Sequence, residues 1–297
     1  MKVLVLGGEG MLGHKIFQIV AERFPTTACT VRGSQDGPER RSIELYQRGR
    51  VVGGVDAMDL SRVESVLRDL QPEFIINCVG VIKQRDEAKS PIPCIVVNSL
   101  LPHRLAEIAG HWGGRVIHFS TDCVFSGRKG AYTEDDSSDA DDLYGKSKFL
   151  GEVAASNALT LRTSIIGREL SRFSSLLEWF LSQRAGRVRG FKRVIYSGVT
   201  TNYLANLVLM IIEQRPQLCG LYQVASAPIS KYDLLCIIRE QFGLKVEITA
   251  DELEISDRSM VGKRFVEATG YECPTWPELI AQLAADPTPY EKWRLQK

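Results

Sequence analysis

The chain has 297 residues, of which 44% are hydrophobic and 25% are charged, proportions typical of a soluble globular protein. This composition excludes intrinsically disordered and fibrous classes, and the length allows one large α/β domain or two coupled lobes. Because Lys and Arg total 37 and Asp and Glu total 36, the net charge is +1, and no overall field attracts the chain to nucleic acid or to an anionic membrane.

The first half of the chain alternates short apolar runs with helical patterns. Val3 to Leu6 is a continuous apolar run, which predicts a strand buried on both faces. Apolar residues at helical spacing follow the next glycines, and Ser61 with Glu64 forms a capping box that predicts the start of another helix. The same patterns predict strands at 27–31, 51–55, 74–79, 116–119 and 159–161, and helices at 98–109 and 146–155.

Beyond Ile166 the alternation is less regular, with helices predicted at 176–181, 203–213 and 230–242 and a strand at 221–225. Strand and helix alternating at this spacing predict βαβ units with right-handed crossovers. We therefore expect an α/β fold, a Rossmann-type doubly wound parallel sheet with a smaller C-terminal substrate lobe. The predicted NADP-binding Rossmann domain takes residues 1–165 with returning segments at about 196–243, and the rest of 166–297 forms the lobe.

Cysteine and histidine spacing argues against disulfides and metal. The seven cysteines include no CxxC pair, and the four histidines include no HxH or HExxH spacing, so we expect reduced thiols and no metal site. Apolar stretches are far shorter than the ~20 residues that span a bilayer. The apolar run at the N-terminus is too short for a signal peptide. We expect a cytoplasmic protein that binds neither membrane nor nucleic acid.

A glycine-rich turn follows the first predicted strand and opens a helix. The run Gly7-Gly8-Glu9-Gly10-Met11-Leu12-Gly13 has the pattern GxxGxxG. Glycine lets the backbone approach a pyrophosphate closely, and a helix N-terminus favours the anion. An ordinary tight turn is the alternative, but this position between strand and helix favours dinucleotide binding.

The residues that end the second and third strands bear on the choice of cofactor. NAD-preferring Rossmann domains carry an acid about 20 residues after the glycines, whereas Arg32 stands here. Its guanidinium can pair with a 2′-phosphate, which predicts NADPH with NADH as a weaker alternative, and Arg40 or Arg41 could assist. A solvated surface arginine is the competing interpretation. Asp59, followed by Leu60, either accepts a hydrogen bond from adenine or is a plain helix-entry acid before Ser61.

A tyrosine and a lysine occur at helical spacing in the second half of the first domain. Tyr144 and Lys148 lie four residues apart and share one helix face. A phenol is a poor proton donor or acceptor at neutral pH, and a nearby ammonium lowers its pKa. YxxxK alone is common by chance. After a strand that ends in Ser120-Thr121-Asp122, in a chain that opens with GxxGxxG, it predicts a proton donor for a developing alkoxide.

These motifs together resemble the extended short-chain dehydrogenase/reductases, and within them the dTDP-4-dehydrorhamnose reductase group. The resemblance extends over nearly the whole chain. It rests on the segments Gly7 to Gly13, Asn77 to Gly80, Asn98, Phe119 to Gly127, Tyr144 to Lys148, Leu161 to Ser164 and Gly220 to Tyr222.

The resemblance implies a role for each matching residue. Tyr144 matches the proton donor, Lys148 the residue that holds the nicotinamide ribose, Thr121 the hydroxyl that binds the substrate oxygen, and Asn98 the asparagine of a proton relay. A polar residue near a helix start is the alternative for Asn98. The implied cofactor-binding residues are Gly7, Gly10, Met11, Leu12, Gly13, Arg32, Asp59, Leu60, Cys78, Val79, Gly80, Ser120, Thr163 and Ser164.

The substrate pocket departs from the pattern of that group at two positions. The group usually has Tyr after Ser-Thr-Asp and Trp after Arg-Thr-Ser, where this chain has Cys123 and Ile165, so we expect a pocket of different shape. A related 4-keto-6-deoxy sugar, including an N-acetylated one on UDP, is therefore an open alternative to rhamnose. Asp122, Cys123, Ile165, Lys83 and Arg258 are the expected substrate-binding residues. Arg193, Tyr196 and Thr201 could hold a nucleotide diphosphate, but a solvated surface role is favoured for them.

The resemblance implies an enzyme that uses NADPH to reduce the C4 ketone of a nucleotide-linked 4-keto-6-deoxy sugar, for deoxysugar or polysaccharide biosynthesis. The expected partners are a nucleotide-diphosphate sugar and, as a possible assembly, a second copy in a homodimer. Two alternatives remain. One is a sugar-nucleotide epimerase or dehydratase on the same scaffold, and the other is a cofactor-binding regulatory subunit such as that of methionine adenosyltransferase.

Overall fold

The computed structural model describes residues 1–34, 37, 43–82, 89–183 and 185–293. Within these residues, seven strands form one parallel sheet in the order β11-β6-β5-β4-β1-β2-β3. The order reverses between β1 and β4, as in a doubly wound fold, so the Rossmann-type prediction is confirmed. These strands are Val3–Leu6 (β1), Ala28–Thr30 (β2), Arg50–Val52 (β3), Phe74–Asn77 (β4), Arg115–Ser120 (β5), Ala158–Arg162 (β6) and Gly220–Gln223 (β11).

Helices cover both faces of this sheet, and each face has its own apolar core. Helix α1 (Met11–Arg23) packs with the Thr201–Gln214 helix on one face, where Ile16, Val20 and Val208 are fully buried. The other face is covered by the Leu60–Leu70 helix and by the Pro91–Pro93, Cys94–Leu100 and Leu101–Gly110 segments, which run on from one another. Since strands β1, β4 and β5 are buried on both sides, their apolar runs are continuous rather than alternating.

The C-terminal third builds a separate apolar cluster. Val188, Leu234 and Trp276 are buried together there, and the Lys231–Gln241 and Trp276–Ala284 helices pack on each other. Of the predicted returning segments, the Thr201–Gln214 helix and β11 pack with the main sheet, whereas the Lys231–Gln241 helix belongs to this cluster. The remaining elements are Ile165–Ile166 (β7), Arg187–Phe191 (β8), Val194–Tyr196 (β9), Val199–Thr200 (β10), Ile229–Ser230 (β12), Glu247–Asp251 (β13), Ser256–Asp257 (β14) and the Glu44–Gln47, Asp122–Val124, Leu143–Leu150, Leu176–Ser182, Lys263–Thr269 and Tyr290–Trp293 helices.

Several element boundaries differ from the sequence predictions. The helix predicted at 146–155 is Leu143–Leu150, and Gly151 ends it. A Cβ on Gly151 would lie 1.9 Å from the carbonyl oxygen of Asn98, so the close approach of the two helices requires glycine. The helix predicted to begin at Asn98 begins at Pro91 instead. The residue that caps the Leu60–Leu70 helix is Asp59 and not the predicted Ser61, because the Asp59 carboxylate accepts the N–H of Arg62.

The last segment of the chain is attached to helix α1 through buried polar contacts. Lys15 Nζ lies 2.6 Å from the Asp286 carboxylate, and both side chains are almost inaccessible to water. His14, one turn from the glycine-rich turn, contacts the Tyr290 hydroxyl at 3.0 Å, and burial lowers the pKa of this imidazole to about 4. The C-terminal segment therefore fixes the start of α1. Among the described residues, no helix is both long and apolar enough to cross a bilayer.

Candidate active site

The glycine-rich turn has the shape that a dinucleotide phosphate requires. Gly7 has φ of +83°, and a Cβ on Gly13 would lie 2.1 Å from the carbonyl oxygen of Gly7, so neither position tolerates a side chain. Gly10 caps helix α1 without a side-chain hydrogen bond, and the first turn carries no acid. The backbone N–H groups of this helix end are thus available to an anion, and the positive end of the helix dipole favours one.

The neighbouring residues of the turn pack against the next strands. Gly8 donates its N–H to the carbonyl of Thr30 at the end of β2, and Gly7 donates to the Thr30 hydroxyl. Val79 follows β4 and touches Gly7, and burial raises the pKa of the adjacent Cys78 thiol. The structure thus brings the predicted residues Gly7 to Gly13 and Cys78 to Gly80 to one edge of the sheet.

The end of the site beyond β2 and β3 is open to solvent. Arg32 is 58% exposed, and its Nε lies 3.6 Å from the Asp56 carboxylate, which is itself 46% exposed. Sequence reasoning missed Asp56, because it lies 24 positions from Arg32 and becomes its neighbour only through the pairing of β2 with β3. Asp59 caps a helix and Leu60 is half-buried at its start. Arg40 and Arg41 lie outside the described residues.

Polar side chains converge at the carboxyl end of β5. Thr121 follows this strand, and its hydroxyl donates to the Asp122 carboxylate at 3.1 Å and accepts the N–H of Cys123 at 3.2 Å. The helix that carries Tyr144 packs against the Asp122–Val124 turn, and Tyr144 lies close enough to the Thr121 hydroxyl for Thr121 to lower its pKa. The two side chains predicted to face a substrate oxygen therefore lie close together in the structure.

Burial and neighbouring acids set the protonation of this cluster. Burial raises the pKa of Tyr144, and the Cys123, Asp122 and Asp142 groups raise it further, against the opposing effect of Thr121. Tyr144 is therefore a protonated phenol at neutral pH. Burial also raises the pKa of Asp122, although Thr121 and Arg258 favour its charged form. The sequence predicts that the ammonium of Lys148 lowers the pKa of the phenol, and this prediction is wrong for the structure described, where the pKa is raised and Lys148 is not among the groups that shift it.

Lys148 lies one turn behind Tyr144 and points to the sheet. Its Nζ donates to the carbonyl of Phe119 at 2.6 Å, and the side chain is only 6% exposed. Burial lowers the pKa of the ammonium to about 8, and the charge of Glu152 opposes that shift. The lysine is thus poised between its two protonation states near physiological pH.

Asn98 holds a loop and a helix together. It lies in the π-helical segment Cys94–Leu100, and its Oδ1 accepts the N–H of Val81 at 2.8 Å. Its Nδ2 donates to the carbonyl of Val81 and to the hydroxyl of Ser147, on the helix that carries Tyr144 and Lys148. Asn98 therefore positions, through its side chain, the helix that carries Tyr144 and Lys148. π-helical turns occur often at functional sites.

A buried ion pair supports the cluster from behind. Arg162, at the end of β6, forms two parallel hydrogen bonds with Glu152 at 2.8 and 2.7 Å, and the two side chains are 2% and 8% exposed. Ser120 donates to the same carboxylate at 2.6 Å. Sequence reasoning missed Glu152, which it had placed inside a helix. The chain leaves that helix at Gly151, and Glu152 then turns toward Arg162.

The remaining predicted substrate residues come from both halves of the molecule. Ser164 and Ile165 follow β6, and Thr163 is buried beside them. Arg258 donates to the backbone carbonyls of Phe125 and Ser126 at 2.9 and 3.3 Å and lies close enough to Asp122 to favour its charge. Lys83 lies outside the described residues, so its predicted contact stays a prediction.

The structure places the three suggested diphosphate-binding residues in different environments. Arg193 is exposed, as a surface residue would be, whereas Thr201 is fully buried. The Tyr196 hydroxyl is also buried, against the expectation of a solvated role, and it lies near Asp122 and Ser164. Among the described residues, no group of three or more His, Cys, Asp or Glu side chains could hold a metal ion.

A family model described as the RmlD substrate binding domain matches residues 1–276. The chain belongs to this family. The match covers both the glycine-rich turn and the tyrosine–lysine helix, which confirms the resemblance inferred from the motifs.

The chain is similar in sequence to two kinds of proteins with known names. The chain is 28% identical over 301 residues to the spore coat polysaccharide biosynthesis protein SpsK of Bacillus subtilis, with 95% of this chain and 96% of that protein covered. It is 23% identical over 264 residues to methionine adenosyltransferase 2 subunit beta of Xenopus tropicalis, with 82% and 72% covered.

Solved structures confirm the fold. The dTDP-4-dehydrorhamnose reductase of Bacillus anthracis, solved in complex with NADP, superposes with a TM-score of 0.75 at 20% identity and covers 96% of this chain and 99% of that one. The dTDP-glucose 4,6-dehydratase of the same organism, solved with NAD, superposes with a TM-score of 0.77 at 13% identity, covering 99% and 98%. One fold therefore accommodates both chemistries, and the site residues must distinguish them.

Proposed function

We propose that the protein reduces the C4 ketone of a nucleotide-linked 4-keto-6-deoxy sugar with NADPH, in the biosynthesis of deoxysugars or polysaccharides. The observation that carries the proposal is the proximity of the Tyr144 and Thr121 side chains at the carboxyl end of β5. The membership of the RmlD family and the likeness to a spore coat polysaccharide protein and to dTDP-4-dehydrorhamnose reductases support it.

The residues that would hold the cofactor fit a dinucleotide. Gly7, Gly10 and Gly13 form a cradle that side chains would fill, and the uncapped start of α1 would bind the pyrophosphate. Arg32 would pair with a 2′-phosphate, and the NADP in the Bacillus anthracis reductase agrees with that choice. When bound, the cofactor supplies the hydride, whereas orientation and proton delivery are the work of the protein.

Tyr144 and Thr121 would then serve the substrate oxygen. Thr121 binds and orients that oxygen, and Tyr144, which is protonated at neutral pH, delivers the proton as negative charge develops. Lys148, one helical turn from Tyr144, would hold the nicotinamide ribose, and its ammonium would favour the resulting phenolate once it had left the Phe119 carbonyl. Positioned proton transfer of this kind contributes roughly 10²–10⁴-fold to a rate.

The experiment that tests this function is turnover of a matrix of substrates. Purified protein is given dTDP-, UDP- and GDP-linked 4-keto-6-deoxy sugars, each with NADPH and with NADH, and cofactor oxidation is followed at saturating substrate. We expect turnover of one nucleotide series, faster with NADPH. If none of these sugars caused oxidation of NADPH or of NADH, the proposal would be refuted.

The epimerase or dehydratase alternative predicts a different cofactor behaviour. Enzymes of those types retain a bound NAD through the cycle, whereas a reductase must release its oxidised cofactor. The superposition on the dehydratase shows a shared fold at 13% identity. Stoichiometric NAD in the purified protein would favour the alternative, and a protein that takes up NADPH on demand would favour the reductase.

The regulatory alternative rests on the likeness to methionine adenosyltransferase 2 subunit beta. A binding subunit has no need of a proton donor, yet Tyr144, Thr121 and Lys148 are all in place and converge in this structure. Co-purification with a methionine adenosyltransferase, together with inactivity on every 4-keto sugar, would support the regulatory role instead.

We further propose a cytoplasmic homodimer formed through two neighbouring helices. The π-helical segment Cys94–Leu100 packs on the Leu143–Leu150 helix, and together they expose a row of apolar side chains. Two elements that expose apolar surface side by side are suited to burial against the same surface of a second copy. The exposed apolar residues are Ile92 at 68%, Ile95 at 50%, Leu100 at 42%, Phe149 at 41% and Leu150 at 62%.

We expect Ile95→Lys to convert a dimer to a monomer in sedimentation velocity.

A further inference from the structure

Two interior side chains bind carbonyl groups of the glycine-rich turn. The hydroxyl of Tyr46, in the Glu44–Gln47 helix, donates to the carbonyl of Gly8 at 3.1 Å. The Nδ1 atom of His14 lies 2.8 Å from the carbonyl oxygen of Gly10, which also accepts the backbone N–H of His14. Because Tyr46 and His14 are 8% and 0% exposed, both carbonyls are held from the side of the protein interior.

The planar peptide unit converts the contact at Gly10 into a direction for the next N–H group. In a trans peptide unit the carbonyl and the N–H point in opposite directions. The carbonyl of Gly10 shares its peptide unit with the N–H of Met11, the first residue of helix α1. This N–H is one of the donors that the start of a helix leaves without an intrahelical acceptor. Since His14 holds the carbonyl, the N–H points away from the buried imidazole.

The C-terminal segment holds the imidazole of His14 in turn. The Nε2 atom lies 3.0 Å from the hydroxyl of Tyr290, and the two rings meet edge to face with their centroids 5.6 Å apart. Nδ1 must carry a proton to donate to the Gly10 carbonyl, and burial keeps the imidazole neutral, so Nε2 accepts from the Tyr290 hydroxyl. This hydroxyl therefore selects the tautomer of His14 that can hold Gly10.

Two cations fix the ring of Tyr290. Lys15 Nζ and the Arg168 guanidinium lie 5.3 and 4.8 Å from the ring centroid, and the residue is only 3% exposed. Cations at such distances are attracted to the face of an aromatic ring. Tyr290 lies beyond residue 276, where the match to the family model ends. Family membership therefore does not predict its contact with the residue that holds the glycine-rich turn.

We propose that His14 and Tyr290 are positioning residues for the cofactor: Tyr290 orients His14, His14 orients the Gly10–Met11 peptide unit, and the oriented N–H binds the diphosphate of NADPH. Both side chains act through the backbone, because their burial keeps them from the cofactor itself. This inference rests on the NADPH binding in the proposed function, and it does not depend on the identity of the sugar.

The test compares Tyr290→Phe with Thr288→Val. Each variant removes one buried hydroxyl of the same segment, but the Thr288 hydroxyl accepts from Lys15 and Gln18, farther along α1 than His14. We expect Tyr290→Phe to raise the Kd of NADPH about 3- to 10-fold in a fluorescence titration, while kcat at saturating NADPH changes little. Thr288→Val should leave this Kd unchanged, although urea denaturation should show that both variants are less stable. A merely structural hydroxyl would lower the stability without this change in Kd.

Two further measurements locate the effect within the cofactor and within the chain. Adenosine 2′-monophosphate has the adenine end of NADPH without the diphosphate, so its Kd should be the same for the wild type and Tyr290→Phe. In His14→Leu, which has already lost the donor to the Gly10 carbonyl, adding Tyr290→Phe should raise the Kd of NADPH no further.

The possible outcomes separate this inference from the proposed function. An unchanged Kd of NADPH in Tyr290→Phe, an equal loss of affinity in Thr288→Val, an equal loss for adenosine 2′-monophosphate or additive losses with His14→Leu would overturn the inference alone. If the wild type bound NADPH with the expected dependence on Tyr290 but reduced no 4-keto sugar, the inference would stand and the reductase function would fail. If the folded wild type bound no NADPH, both would fail.

Discussion

The two ends of the candidate site shield their charged groups from water to very different degrees. At the end formed by β5 and β6, Lys148, Asp122 and Arg162 are each less than 10% exposed. At the end formed by β2 and β3, Arg32 and Asp56 are 58% and 46% exposed and 3.6 Å apart. Water screens the second pair and hardly reaches the first group.

This difference in exposure indicates at which end of the site the charged groups depend on fixed partners. Buried charges interact strongly but must be matched, and the end formed by β5 and β6 matches them with hydrogen bonds that involve Ser120, Phe119 and Glu152. The solvent-exposed end can change its residues at little cost to the fold. We therefore expect substitutions at the first end to have large effects and those at the second to change preference only.

The largest effect is expected from Glu152→Gln. Removing the carboxylate charge leaves the Arg162 guanidinium buried without its partner, which costs about 3–5 kcal/mol of unfolding free energy. Urea denaturation measures it. Glu64→Gln is the control, because the Arg68 partner of Glu64 is 54% exposed and exposed ion pairs contribute little to stability. Equal losses in the two variants would contradict the contrast between the two environments.

Tyr144→Phe should lower kcat by at least ~10²-fold while NADPH still binds, because only the proton donor is removed. Single-turnover kinetics and cofactor titration separate the two quantities. Tyr132→Phe is a suitable control, since the Tyr132 hydroxyl accepts the backbone N–H groups of Gly127 and Lys129, outside the Thr121–Tyr144 cluster. If Tyr144→Phe kept near-normal turnover, Tyr144 would not be the proton donor.

The sequence was sufficient for the part of the fold and the site that local patterns encode. The alternation of strands and helices along the chain, the glycine-rich turn and the tyrosine–lysine helix all depend on residues close together in the sequence. The family model and the solved structures confirm the fold that these patterns predict. The roles of the site residues stay predictions, although the structure brings Thr121 and Tyr144 close together.

What the sequence did not reveal depends on contacts between distant segments. Asp56 reaches Arg32 only because β2 pairs with β3, and the Tyr196 hydroxyl and the Ser164 carbonyl both lie where a side chain at Gly198 would stand. The helical spacing of the residues around Glu152 predicts a helix at this position. The tight contact between Gly151 and Asn98 ends that helix, and periodicity carries no signal for such a contact.

A pH profile tests the burial of Lys148. Its pKa is lowered to about 8, so the ammonium is present below that pH and lost above it. We expect kcat/KM for NADPH to fall roughly tenfold per pH unit as pH rises beyond 8. The guanidinium in Lys148→Arg stays charged over the whole pH range, so this variant should be slower overall but should show no decline above pH 8. A decline that persists in Lys148→Arg would assign it to another group.

The smallest effect is expected at the exposed end, in the choice between NADPH and NADH. The Arg32 guanidinium can pair with the 2′-phosphate with about 1.5–3 kcal/mol, which alone gives a tenfold to hundredfold preference. Asp56 competes for the same guanidinium and repels the phosphate, so we expect the wild type to prefer NADPH by a factor near the lower limit, about tenfold.

Asp56→Asn should therefore increase the preference for NADPH, whereas Arg32→Asp should invert it because the new carboxylate accepts from the 2′-hydroxyl. The measurement is kcat/KM with both cofactors for the wild type and the two variants. If neither variant changed the ratio, Arg32 and Asp56 would form only a solvated surface pair, and cofactor choice would be made elsewhere in the site.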